Sequence, residues 1–157
     1  MGLFREMKEA RFWKGWQDRF ERERDDFITP SHPAVVQAAN KASTGATATE
    51  DVALDAWQYI YDNVSYKLSK EWKEPAQTLR EGTGDCEDVT FLAASMLPNM
   101  GVDRPKIAIG ELTFPSGADE LHTWVIAGDT IIDPTGRPRT DLDVSYRPVH
   151  KYTINLK

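Results

Sequence analysis

The stretch GTGDCEDVTFLAASML, residues 82–97, decides how this chain is read. It holds the only cysteine, Cys86, between Asp85 and Glu87, where a glycine-rich turn gives way to an apolar run. A cysteine serving only as a small core residue would sit inside that run, beside Val89, Leu92, Ala93 and Met96. Cys86 precedes it. Asp85 is a good N-cap residue and Asp88 follows three positions on, which predicts that Cys86 is the first residue of a helix. The helix end carries partial positive charge and free N–H groups, both of which favour a thiolate. The expectation is an exposed, acidified thiol at the edge of the core.

Upstream, apolar residues at Leu3, Phe4, Met7, Ala10, Trp13, Trp16, Phe20 and Phe27 recur at the spacing of one helix face. Seven basic and seven acidic residues share this segment, so its net charge is zero, unlike a basic membrane-surface helix. The helix is expected either to dock on its own domain or to serve oligomer or assembly contacts. No candidate catalytic residue lies within residues 1–27, so the segment is expected to stand apart from the chemistry. ITPSHP, residues 28–33, ends it, because a residue before proline is pushed out of the α region. A second helix is predicted from Pro33 to about Lys41, followed by a small-residue linker, Ser43 to Thr49. Thr47 and Glu50 then have capping-box spacing ahead of a helix with Ala53, Ala56, Trp57, Ile60 and Val64 on one face. This divides the chain into an N-terminal helical extension, 1–48, and a catalytic domain, 49–157.

Downstream, residues 106–114, 121–127, 130–133 and 146–156 read as strands. Helices first and strands after predict an α+β fold with the cysteine helix packed on an antiparallel sheet. LHTWVIAGDTIID reads as a hairpin turning at Gly128 and Asp129, and a two-residue turn pairs positions whose numbers sum to 257. That register puts His122 and Asp133 on one face as diagonal neighbours, within reach of a hydrogen bond. Cys86, His122 and Asp133 then form a candidate set in which the imidazole takes the thiol proton and the carboxylate fixes its tautomer.

Composition narrows the rest. The 157 residues are 40% hydrophobic and 28% charged, ordinary usage for one globular domain. A net charge of −6 speaks against nucleic acid or an anionic membrane as partner. One Cys and three scattered His lack the paired spacing of a zinc site. His32 and His150 read as surface residues. The sequence shows no signal peptide or transmembrane segment, and the expected location is the cytoplasm or a virus particle.

The segment EWKEPAQTLREGTGDCEDVTFLAASMLPNMG resembles the nucleophile region of the transglutaminase-like superfamily, and especially its bacterial cysteine proteases, with a pattern close to YW..P..TL..G.GDCED. The matching residues are Trp72, Pro75, Thr78, Leu79, Gly82, Gly84, Asp85, Cys86, Glu87 and Asp88. HTWV and IIDPT are similar to that superfamily's His and Asp strands. The resemblance, over about residues 52–135, implies a papain-like fold, Cys86, His122 and Asp133 as catalytic triad, and a protein or peptide substrate. Beside the backbone N–H of Cys86, Trp72 and Gln77 become candidate second oxyanion donors, with Trp72 equally a packing residue. The acids flanking the nucleophile bind calcium in the protease group, which makes Asp85 and Glu87 candidate ligands; the chemistry itself requires no cofactor. The better-known proteases are longer and exported, and residues 1–48 and 136–157 match no pattern. Three functions fit: thiol hydrolysis of a peptide or isopeptide bond, protein-glutamine amine transfer, and a non-catalytic module of a larger assembly such as a virus particle.

Overall fold

A computed structural model describes the backbone of residues 2–114, 116, 119–135 and 145–154, and side chains from Trp13 onward, excepting Asp119 and Ser145. The side chains of the apolar positions Leu3, Phe4, Met7 and Ala10 and the end of the last predicted strand, Asn155 and Leu156, lie outside this description.

Helix α1 spans Gly2–Glu23 and passes into a 3-10 turn, Arg24–Phe27. Helix α2, Pro33–Ala42, starts with proline at its first position, where a missing N–H costs nothing, and His32 accepts the Ala34 N–H as cap. Helix α3 spans Thr49–Asn63. Its N-cap is Ala48, which offers no side chain; the predicted Thr47–Glu50 box falls outside the helix start, and Glu50 and Asp51 supply only first-turn charge. The expected linker is tied back, since Thr44 donates its N–H and hydroxyl to Asp55 Oδ2 at 3.0 and 2.7 Å.

Three short elements in the 65–84 region carry no strong sequence pattern. Helix α4, Pro75–Glu81, ends at Gly82, whose φ of 69° is the left-handed conformation that favours glycine. Strands β1, Ser65–Tyr66, and β2, Thr83–Gly84, pair in parallel immediately before the cysteine helix α5, Cys86–Met96. After a 3-10 turn come β3, Lys106–Thr113, β4, Asp119–Ala127, β5, Thr130–Ile132, and β6, Ser145–Thr153. They form one antiparallel sheet in the order β5-β4-β3-β6. The fold is α+β, helices first and strands after, as expected.

One core joins the layers. Phe20, Val35, Ala39, Ala53, Ala56, Ile60, Phe91 and Leu92 from the helices meet Ile107, Ile109, Val125, Ala127 and Ile132 from the sheet. Alternation along the strands leaves Ala108, Leu112 and Trp124 in a smaller cluster on the other face, with Tyr146, Ile126 and Ile131 around it. Between β3 and β6 the register shifts at Ile109/Gly110, with Val149 as the extra residue of a bulge. Gly110 is required there: a Cβ would lie 2.1 Å from the Arg147 carbonyl oxygen. Among the described residues no helix is long and apolar enough to cross a membrane.

Candidate active site

The hairpin register is the one the turn dictates: Val125 pairs with Ile132 and Ala127 with Thr130. Trp124 and Asp133 consequently face the same side, and His122 lies one step along. His122 Nε2 and Asp133 Oδ2 are 2.9 Å apart, and both side chains are buried. Asp133 is held from four sides. Thr135 donates its hydroxyl to Oδ1 at 2.7 Å, Tyr146 donates its own to Oδ2 at 2.8 Å, and the indole of Trp57 donates to the Asp133 carbonyl at 3.1 Å. Burial works against the charged carboxylate, but His122, Thr135 and Tyr146 together outweigh it and hold Asp133 below its usual range. The His122 ring lies nearly parallel to Trp124, at 6.4 Å and 21°. Its Nδ1 makes no hydrogen bond among the described residues, so it is the ring nitrogen left to meet a thiol.

Cys86 is the first residue of α5, and the cap is a full box: Asp85 accepts the Asp88 N–H at 3.2 Å while Asp88 accepts the Asp85 N–H at 3.1 Å. Asp85 also takes the Ser69 N–H, and Asp88 takes the Lys73 N–H. The backbone N–H of Cys86 is left out of this box. The short β5 explains how α5 reaches the sheet. It pairs with Val125, Ile126 and Ala127, so among the described residues β4 has no strand neighbour on that edge at Thr123. Thr123 turns both backbone groups toward α5: its carbonyl accepts from Thr90 Oγ1 at 3.4 Å, and its N–H is directed at the Cys86 sulfur. The thiol therefore sits beside the residue that follows His122.

The thiol is hydrogen-bonded to an acid and not to the imidazole. Cys86 Sγ donates to Glu87 Oε2 at 3.2 Å, and no hydrogen bond joins it to His122. Burial raises the thiol well above its ordinary range, with the charges of Glu87 and Asp85 adding to it; the Thr123 N–H opposes them without prevailing. The acidified thiol expected from helix placement alone is overridden by burial first and by these carboxylates second. Crowding acts on the acids too. Glu87 is raised by burial and by Asp85, Asp88 is pushed up to about 6, chiefly by burial, and Tyr66 up to about 12, by burial and then by Cys86 and Asp85.

The other candidates are placed as follows. Trp72 packs among Phe20, Phe91 and Phe27 at 4.8–5.5 Å, with the Arg19 guanidinium 3.9 Å from its ring centre. Gln77 lies within α4; no side-chain hydrogen bond joins it or Trp72 to the Cys86 segment among the described residues. Glu87 accepts from Trp16 Nε1 at 3.1 Å as well as from the thiol, so both its oxygens are engaged, as are both oxygens of Asp85. No group of three or more His, Cys, Asp or Glu converges as a metal site among the described residues. The Trp16 contact brings residues 1–27, expected to take no part in the chemistry, to within one side chain of the thiol. His32 is exposed, whereas His150 is half-buried, its Nε2 2.7 Å from Gln17 Nε2. Sequence reasoning missed Thr135, Tyr146 and Trp57. Only Thr135 left a local signal, since Asp-Pro-Thr is a turn in which the Asp side chain binds two residues on.

The transglutaminase-like superfamily matches residues 36–127 of this chain, more than half of it. None of the curated proteins compared matches the sequence. Among solved structures, a candidate cysteine protease from Cytophaga hutchinsonii is similar, with TM-score 0.51 and 16% identity over 83% of this chain. A candidate protease from Parabacteroides distasonis ATCC 8503 aligns over 66% of the chain at 12% identity and TM-score 0.41. The chain spans 52% of the first structure's length and 28% of the second's.

Proposed function

The chain belongs to the transglutaminase-like superfamily, and on that premise we propose that it is a thiol hydrolase cleaving a peptide or isopeptide bond through Cys86, His122 and Asp133. The observation that carries this reading is the buried His122–Asp133 pair, with Nδ1 making no hydrogen bond among the described residues, set beside the strand edge at which the cysteine helix docks. Rotation of the Cys86 side chain away from Glu87 brings the thiol to Nδ1, which takes its proton. Asp133 keeps Nε2 protonated and stabilises the imidazolium. The thiolate attacks the carbonyl carbon, and the negative charge formed on oxygen is met by the backbone N–H of Cys86. Collapse expels the amine, which receives the proton from His122, and leaves a thioester. Water, deprotonated by His122, then releases the acid and restores the thiol. Trp72 packs among Phe20, Phe27 and Phe91, and no side-chain hydrogen bond ties Gln77 to the Cys86 segment among the described residues, so neither is given the role of second oxyanion donor.

Calcium at Asp85 and Glu87 forms no part of this mechanism. Calcium takes about 6–8 oxygen ligands, and these two carboxylates already accept protein N–H and S–H groups. A non-catalytic module is favoured by one observation, the thiol held by Glu87 instead of His122.

The two readings separate with a thiol-directed acyl probe followed by mass spectrometry. Wild type should form an adduct at Cys86, and His122→Ala should slow its formation by at least about 10². Equal labelling of both proteins would remove the triad. An added amine that captures the acyl group faster than water would assign amine transfer instead.

A further inference from the structure

The Trp16 indole N–H donates to Glu87 Oε1 at 3.1 Å, and the other oxygen of that carboxylate, Oε2, accepts the Cys86 thiol at 3.2 Å. A hydrogen-bond chain thus runs from the N-terminal helix to the one nucleophile of the molecule, across 71 positions of sequence. Trp16 lies outside residues 36–127, so nothing in the family-matched segment supplies this contact. The helix is firmly seated at this point. Phe20, one turn on, is fully buried against Trp72 and Phe91, Phe91 itself belonging to α5. Trp16 packs edge-on against both Trp13 and Phe20, and Arg24 stacks over Tyr152 of β6 at 4.4 Å.

We infer that Trp16 is a positioning residue of the active site: through Glu87 it holds the Cys86 thiol on the carboxylate instead of on His122, in a parked state that must be released before the thiol can attack. A single glutamate beside a thiol would sample other rotamers and point into water. With one oxygen fixed by an indole N–H carried on a packed helix, the carboxylate stays where its second oxygen receives the S–H. The bond between thiol and carboxylate has to break for the proton to reach Nδ1 of His122, so whatever loosens Glu87 shifts the thiol toward its reactive rotamer. The N-terminal helix, which contributes no reacting group, thereby sets how often the nucleophile is available. This role rests on the catalytic assignment of Cys86 and His122, but its test does not.

The test is the rate of Cys86 alkylation by iodoacetamide at neutral pH in the full chain, compared among wild type, Trp16→Phe, Glu87→Gln and the double variant. Trp16→Phe keeps an aromatic ring for packing and removes only the N–H donor. Loss of one such hydrogen bond should release the thiol enough for alkylation about three- to tenfold faster. Glu87→Gln should be faster by at least as much, and Trp16→Phe should add nothing in the Glu87→Gln background. The indole N–H resonance of Trp16 should also move when Cys86 is alkylated, a change that mere docking of the helix would not produce. A Trp16→Phe rate equal to wild type overturns the inference, and so does an acceleration that persists in full without Glu87, which would mean general loosening. His122→Ala labelled by the acyl probe as fast as wild type would sink the triad separately, leaving these alkylation results to stand or fall alone.

Discussion

The two halves of the site are built to opposite standards. On the imidazole side, His122 is fixed by Asp133, and Asp133 by Thr135, Tyr146 and the backbone bond from Trp57, all on or against the sheet. On the thiol side, Cys86 donates a hydrogen bond to one acidic neighbour, which also accepts from the Trp16 indole. In the proposed reaction the charge to be stabilised on the imidazole stays in one place, so surplus bonds there would preorganise the site. The sulfur in that scheme has to turn, so surplus bonds would lock it. The pKa directions follow this division: Asp133 is held down by donors, and Cys86 is held up by burial and acids.

The contrast can be broken most severely at its fixed half. Asp133→Asn offers Nε2 the wrong partner and should reduce turnover by up to about 10⁴, the size seen for the equivalent change in a serine-protease triad, with the far-ultraviolet circular dichroism unchanged. Retained activity would show that His122 needs no tautomer control. The seat of the mobile half is probed next. Phe20→Ala empties a fully buried position between α1, Trp72 and α5 and should lower unfolding free energy in urea by about 3–5 kcal/mol. A loss under about 1 kcal/mol would mean that α1 is not seated as described.

Smaller effects sharpen the picture. Gly110→Ala drives a methyl group into the Arg147 carbonyl opposite His122 and should cost about 1–3 kcal/mol, because backbone has to move. Thr135→Val removes one donor from Asp133 and should cost about 0.5–1.5 kcal/mol near neutral pH. The pH sense is fixed by linkage. A carboxyl held below its unfolded value, about 3.9, contributes stability above that pH and loses it as the pH falls through the native value. Weakening its donors raises the native value, so acid unfolding of Thr135→Val should begin at a higher pH than in wild type. An unshifted acid transition would show that Thr135 does not bear on the charge of Asp133.

What could be read in the sequence was whatever is encoded over a few neighbouring residues. Asp85 and Asp88 announced a capped helix because a capping box closes within four positions, and the Gly128–Asp129 turn fixed the register that joins His122 to Asp133. The Thr47–Glu50 box failed because Thr47 lies one residue ahead of the true N-cap, Ala48, which makes no side-chain cap hydrogen bond. Tyr146 and Trp16 were out of reach for a different reason. Each meets the site only after the sheet and the helical layer have assembled, and neither carries a local signature beyond being aromatic. The state of the thiol was misread on the same account. A helix end acts over one turn, whereas burial and the orientation of Glu87 are properties of the packed molecule.

The bulge at Val149 has a consequence for how this protein meets copies of itself. β6 is an outer strand of the sheet, and an outer strand with unpaired backbone groups invites another chain to extend it. Here the strand carries Pro148, which has no N–H to offer, next to an extra residue that breaks the repeat, with the charged Arg147 and Lys151 on either side. The irregularity that accommodates Gly110 thus also makes this border a poor template for β-sheet growth, and guards the molecule against edge-to-edge aggregation.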